Sequence, residues 1–456
     1  MKNLTLIFSL AIISVVLFSV QSCSKDEFSN QPYDPDNKPS KGLITLQVVV
    51  EELPSKIELS IGNGSGYNWP HTDKFLSYPP IDMGSVNSDK SIISDTPSDI
   101  EIDWGDGSVT HMASHTYERR GTHTVTIKDS GIKIFSCMYS YANIISIDVS
   151  KCSNIEALVL SPEVKSLNVT RNPHLISLAW SPAESASLNV GNNSKLEHLA
   201  VGANVQISDV SKNPMLQRLE YTSSASGLDL SSNPLLAYLD ASGQFSALDL
   251  SKCPDLQYLL CGSHNLTDLK IETCKKLQHL KINNSQLEEL ELDGYPQLCW
   301  FDAPQCNFKK LSIKNSFNKY DELVTYIRCA GGIDGFDYSK SDITSLEIVN
   351  CPALQWIEAY HGRLTSVKIE DCASLDRILV GGNQLSSISL SGTDNYTYLN
   401  VVSNLFDDSG LNVIYNLLPT YSYPPTGTQP QILIAENNGT GNTSIATSKG
   451  WEVVVK

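Results

Sequence analysis

Residues Leu235 to Asp255 read LLAYLDASGQFSALDLSKCPD, and Leu256 to Lys276 read LQYLLCGSHNLTDLKIETCKK. The two stretches are one pattern written twice, and from about Ile144 to Leu405 the chain returns to it every 20 or 21 residues. A fixed period of that length marks a stacked repeat. Each copy holds two Leu-x-Leu runs. The first falls at pairs such as Leu158/Leu160, Leu199/Val201, Leu259/Cys261, Phe301/Ala303, Phe336/Tyr338, Ile357/Ala359 and Leu399/Val401; the second lies near the midpoint, as at Leu248/Leu250 and Val367/Ile369. Alternation at a spacing of two makes each run a short strand with its apolar residues on one side. One copy cannot bury that side alone, so successive copies must stack in parallel around a continuous core. The expected fold is mainly β, a solenoid of short parallel strands.

The repeat is also specific in its residues. LxxLxCxxNxL is nearly complete at Leu256, Leu259, Cys261, Asn265 and Leu266, and LxxLxLxxC at Phe245, Leu248, Leu250 and Cys253. This resembles the leucine-rich repeat family, in the bacterial form that nests a second Leu-x-Leu half in each turn, over about 260 of 456 residues. The resemblance implies that strands of the LxxLxC half line a concave face, and that an Asn or Cys ladder pairs backbone groups of the turns. Here that ladder is firmest in the other half, at Cys152, Asn172, Asn193, Asn213, Asn233, Cys253, Cys274, Cys351 and Cys372. In the LxxLxC half it is broken, with His264, Ser285 and Gly362 beside Asn383 and Asn404.

The chain begins MKNLTLIFSLAIISVVLFSVQSC, one early lysine followed by an apolar stretch and small residues before Cys23. This reads as a secretory leader, residues 1–22, too short to be kept as a membrane span. Its end resembles a bacterial lipobox with Val20 in place of the usual leucine, which implies lipidation of Cys23 and a stable acyl anchor. Ser24 to Glu27 resembles the acidic export tag of some surface lipoproteins, so the expected location is the outer membrane, facing outward. A net charge of −17 without a basic stripe disfavours nucleic acid as a partner. Eleven cysteines in an exported chain would suggest disulfides. Their positions favour buried free thiols instead: Cys253/Cys274 and Cys351/Cys372 are each 21 residues apart, in the slot that Asn213 and Asn233 take elsewhere. Isolated bridges are the lesser alternative, and no CxxC pair suggests zinc.

Around the repeats, residues 23–41 form a Pro- and Asp-rich tether. Residues 42–131 hold strand-like runs broken by a Gly/Ser/Pro-rich stretch from Gly62 to Ser94. The pieces Asp103-Trp104-Gly105-Asp106-Gly107, His115-Thr116-Tyr117 and Gly121-Thr122-His123-Thr124-Val125 resemble the signatures of PKD-type β-sandwich domains, which act mainly as spacers or weak binding modules. The solenoid, residues 132–405, stretches once: Phe301 to Phe336 spans 35 residues, and KYDELVTYIRCA inside it predicts a short helix near 317–332. Residues 406–456 read as a C-terminal cap in the order helix, strand, helix, strand.

Residues flanking Leu-x-Leu point away from the core. The residue before the first core position runs Ala157, Ser177, His198, Arg218, Tyr238, Tyr258, His279, Trp300, Gly335, Trp356, Arg377 and Tyr398; five of these twelve are Tyr or Trp. The matching column of the other half, from Ser166 to Ser387, has no aromatic residue. Exposed rings with arginine are the chemistry of recognition surfaces. The candidate binding residues are therefore Arg218, Tyr238, Tyr258, His279, Trp300, Trp356, Arg377 and Tyr398, with Glu220, Asp240, Lys281, Asp302 and Glu358 as a polar rim. The blander reading is that neighbouring rings merely stack to stabilise the sheet. A second column, Asp148, Asn168, Asn189, Asp209, Asp229 and Asp249, reads as a solvated face rather than a calcium site. His111, His115 and His123 flank Asp103 and Asp106, where structural roles outweigh a metal cluster. No GxSxG, HExxH, P-loop or dinucleotide fingerprint occurs, so no catalysis, cofactor or metal is expected. The resulting expectation is a monomeric, lipid-anchored surface protein that recognises an extracellular protein in adhesion. The alternative is a glycan-binding accessory of a surface uptake system, with a hydrolase a distant third.

Overall fold

The computed structural model describes residues 42–62, 100–129, 131–137, 143–207, 209–222, 227–262, 265–318, 325–329, 342–422 and 429–455. The leader, Cys23, the tether and most of the Gly62 to Ser94 stretch lie outside them. The chain groups into two compact units, residues up to 225 with 229–236, and residues 226–228 with 237–456.

The first unit opens on the strand Gly42–Val50, whose Ile44, Leu46, Val48 and Val50 alternate inward and are buried. It pairs antiparallel with Gly121–Asp129 on one side and with Asn143–Asp148 on the other. Glu101–Asp103 joins the far edge of Gly121–Asp129, and Ser55–Glu58 pairs separately with Ser114–Tyr117. The turn after Asp103 shows why the tryptophan-glycine-aspartate string has its form. Trp104 and Tyr117 are fully buried, and the Tyr117 hydroxyl donates to the Trp104 carbonyl at 3.1 Å. Gly105 sits at φ +76°, where a Cβ would lie 2.5 Å from the Thr124 carbonyl oxygen, so only glycine lets the turn close on its neighbour. The histidines are absorbed locally: His115 stacks on Trp104 at 5.1 Å and bonds Asp106 at 2.7 Å, and His123 stacks on Tyr117 at 4.5 Å. Among the described residues no group of three or more metal-ligating side chains comes together.

The repeats begin within this unit. Ser60–Gly62 lies antiparallel to Ile134–Ser136, covering the outer edge of the first rung of a parallel ladder. Ala157–Leu160, Ser177–Trp180, His198–Val201 and Arg218–Tyr221 follow, with Leu158, Leu178, Leu199 and Leu219 in register. In the second unit the rungs Tyr238–Asp240, Tyr258–Leu260, His279–Lys281 and Trp300–Asp302 continue the same pattern. The other half of the turns pairs in separate pieces, Ala186–Leu188 with Val205–Ile207, Ala247–Asp249 with Asp268–Lys270, and most regularly Glu289–Asp293 through Ser389–Ser391. This is the leucine-rich repeat solenoid that the period demands.

Two expectations are corrected. The slot between Trp300–Asp302 and Trp356–Glu358 is filled by Tyr326–Arg328, which pairs with both, and not by Phe336/Tyr338 with Gly335, which lie outside the described residues. Tyr326 and Ile327 are thus strand residues where a helix near 317–332 was expected; the apolar spacing that suggested a helix includes a rung. Beyond Tyr398–Asn400 the ladder also does not stop. The helix Asp408–Leu417 is capped by Asp407, whose carboxylate accepts from the Gly410 amide at 2.7 Å, and buries Leu411, Ile414 and Tyr415. Gln431–Leu433 then adds a rung, and the helix Ser444–Ser448 turns through Gly450 (φ +87°) into a last rung, Glu452–Val454. The terminal segment has the expected element order but prolongs the ladder by two rungs.

Candidate functional site

Each turn must satisfy backbone carbonyls that no strand partner reaches. In the first unit the asparagine ladder does so: the Nδ2 atoms of Asn172, Asn193, Asn213 and Asn233 each donate to two carbonyls of the preceding turn at 2.8–3.1 Å. In the second unit cysteine takes the slot, the Cys274 thiol lying 3.5 Å from the Leu250 carbonyl and 3.4 Å from that of Cys253. All ten described cysteines are free, and only Cys299 among them is half-buried rather than buried. Burial pushes the Cys137, Cys152, Cys274 and Cys306 thiols up to about 11. The Asp148 to Asp249 column has a turn-forming role that the sequence reading missed. Asp148, Asn168, Asn189, Asp209, Asp229 and Asp249 each accept from the amide two residues on, at 2.7–3.0 Å. The signal was present: each is followed two positions later by Ser, Thr or Gly.

With the turns held this way, the outward column of the rungs is fixed in register. In the second unit it runs Tyr238, Tyr258, His279, Trp300, Tyr326, Trp356, Arg377 and Tyr398, each opposite the next. The rings touch. Tyr238 and Tyr258 stack at 6.0 Å, Tyr258 and His279 at 4.6 Å, and Trp300 and Tyr326 at 6.2 Å, while His279 meets Trp300 edge-on at 5.6 Å. The Arg377 guanidinium lies 4.7 Å from the Trp356 ring centre and 5.8 Å from that of Tyr398. Mutual stacking has a consequence for exposure. Trp300, Tyr326, Trp356 and Tyr398 are half-buried and Arg377 exposed, but Tyr258 and His279, expected to stand free, are only 8% and 7% accessible.

The expected polar rim is corrected in part. Asp302 and Glu358 are buried. Asp302 receives a two-pronged contact from Arg328, Nε to Oδ1 at 2.7 Å and Nη2 to Oδ2 at 2.8 Å. Arg328 was taken for part of a helix; its register now places it between Asp302 and Glu358. Burial, with the Asp302 charge next in weight, raises the Tyr326 phenol above its ordinary value, which keeps it protonated as a donor. Arg218, in the first unit, holds Glu220 on its own strand at 2.6 Å.

The first unit treats this column differently. Ala157, Ser177 and His198 are buried, and the strands that carry them bury every residue on both sides. His198 is held neutral: burial, with the Arg218 charge second, lowers it from 6.5 to about 3.

No protein-family model matches the chain, and no curated protein does. Among solved structures the chain is similar to the functional domain of InlJ from Listeria monocytogenes, which includes a cysteine ladder, at 17% identity over 70% of this chain and 77% of that one, TM-score 0.39. It is similar to the internalin InlF of the same species at 14% identity over 71% and 86%, TM-score 0.32. A third is the Arabidopsis receptor kinase HAESA, solved with the peptide hormone IDA and the co-receptor SERK1, at 17% identity over 67% and 66%, TM-score 0.28. The fold assignment rests on the strand pairing above.

Proposed function

We propose that this chain is a cell-surface recognition protein, anchored in the outer membrane through lipidated Cys23, that binds an extracellular protein ligand in adhesion and performs no catalysis. The recognition face is the column Tyr238, Tyr258, His279, Trp300, Trp356, Arg377 and Tyr398, with Tyr326 added and Arg218 as its counterpart in the first unit. Residues 42–131 serve as a PKD-like spacer, 132–405 as the binding solenoid and 406–456 as its continuation. The observation that carries the reading is the unbroken run of rings and one exposed guanidinium along eight successive rungs. Rigid rings give contact area at low entropic cost, and rings stacked on one another are already ordered before a partner arrives.

The stacking also favours protein over glycan. Sugars stack on ring faces, and from Tyr238 to His279 those faces are turned toward neighbouring rings. What remains outward is ring edge, whose partial positive charge suits carbonyls, carboxylates and the faces of a partner's aromatic side chains. Truncating Trp300 or Trp356 to alanine is expected to weaken binding by about 2 kcal/mol or more. Unchanged binding in both variants, with the fold intact, rejects the face.

A further inference from the structure

Cys299 stands apart from every other described cysteine. It is half-buried where the rest are buried, and it lies just before the rung Trp300–Asp302 rather than in a core or ladder slot. Its sulfur donates to the Gln278 carbonyl at 3.3 Å and lies 3.5 Å from the Nε2 atom of His279 on the preceding rung. That imidazole is fixed between the rings of Tyr258, at 4.6 Å, and Trp300, at 5.6 Å. A thiol on a half-buried residue, in contact with an oriented imidazole, is the arrangement from which a thiolate nucleophile forms, because the ring nitrogen can take the thiol proton.

We propose that Cys299 and His279 form a thiol–disulfide exchange site, which takes up a small peptide disulfide of the glutathione type as a covalent mark. The step balances without an outside oxidant beyond that disulfide. The Cys299 proton passes to His279 Nε2, the Cys299 sulfur attacks one sulfur of the disulfide, a new S–S bond forms and the old one breaks. The departing thiolate then takes the proton from His279, leaving a mixed disulfide on the protein and one free thiol. The buried thiols compete poorly: they lack access, and burial raises Cys306, seven residues on, to about 11, which leaves little thiolate. A peptide attached at Cys299 would stand beside Trp300, but the inference holds whether or not that face binds a partner.

The test uses the full chain, reduced, freed of reductant and incubated with oxidised glutathione at pH 7.5, with adducts mapped by peptide mass spectrometry. The expected result is an adduct on Cys299, absent in Cys299→Ser, forming at least about tenfold more slowly in His279→Phe, which keeps a ring in the stack but has no nitrogen to accept the proton. A Cys299 that stays unmodified while folded, or that reacts equally fast in a folded His279→Phe variant, overturns the proposal. Because that variant could fail to fold, the same adduct is timed in the urea-unfolded wild-type chain. The folded protein is expected to react faster at Cys299 than the unfolded one; a slower rate in the folded protein equally overturns the assignment.

Discussion

The rungs Ala157–Leu160, Ser177–Trp180 and His198–Val201 and the rungs from Tyr238 to Tyr398 obey the same repeat but use their outward side in opposite ways. The early rungs carry Ala157, Val159, Ser177, Ala179, His198 and Ala200 there and bury all of them. The later rungs carry rings, an exposed arginine and a buried ion pair, and leave much of the ring surface open. The inward side is nearly interchangeable between the two, leucine on leucine. What differs is the outward column, buried alanine, serine and histidine on the early rungs and partly open rings with an arginine on the later ones, so the repeat fixes the scaffold while this one column decides what the scaffold can meet.

The sharpest way to break the comparison is to attack what holds each side. Arg328→Met leaves the fully buried Asp302 carboxylate without its cation, and thermal or urea unfolding should register a loss of about 3–5 kcal/mol. A loss below about 1 kcal/mol would show that the open side does not depend on that pair. Putting a large ring on the closed side is next. Ser177→Tyr should cost about 3 kcal/mol through overpacking, whereas Trp356→Ala on the open side should cost about 1 kcal/mol or less, mainly its contact with Arg377. Equal costs would erase the distinction between the two sides.

The two ladders allow a smaller contrast. Asn213→Ala removes two hydrogen bonds to the Val190 and Asn193 carbonyls, which each keep one turn amide, and should cost about 2 kcal/mol, while Cys274→Ala loses weaker sulfur contacts and should cost about 1 kcal/mol. His198 adds a pH signature confined to the closed side. The unfolded chain protonates this imidazole near 6.5 and the folded chain only near 3, so between those values the unfolded state binds more protons and stability falls as pH falls. His198→Gln should flatten the unfolding profile in that window; an unchanged slope would mean other groups produce it.

Ladder slots such as Asn213 and Cys274 were legible because a fixed offset in a strict period needs no long-range information. The rung Tyr326–Arg328 was missed because the spacing from Trp300 to Tyr326 and from Tyr326 to Trp356 departs from the 20- or 21-residue period, although Tyr326-Ile327-Arg328-Cys329 repeats the form of Tyr258-Leu259-Leu260-Cys261. The aromatic column was legible as a column. That Tyr258 and His279 would be buried in it was not, because alternation tells which side a residue faces, not how far its neighbours' rings cover it. The burial of Asp302 depended in turn on finding Arg328, so one missed rung hid the ion pair as well.

The central claim, that the open column is the recognition face, is tested most directly on an extracellular-protein array probed in parallel with three purified forms: wild type, Trp300→Ala/Trp356→Ala, and Ser366→Ala/Ser387→Ala from the other half of the repeat. Proteins that capture the wild type should bind the serine variant equally and the tryptophan variant at least about thirtyfold more weakly, the equivalent of about 2 kcal/mol. Capture of the folded tryptophan variant at wild-type strength would contradict the account.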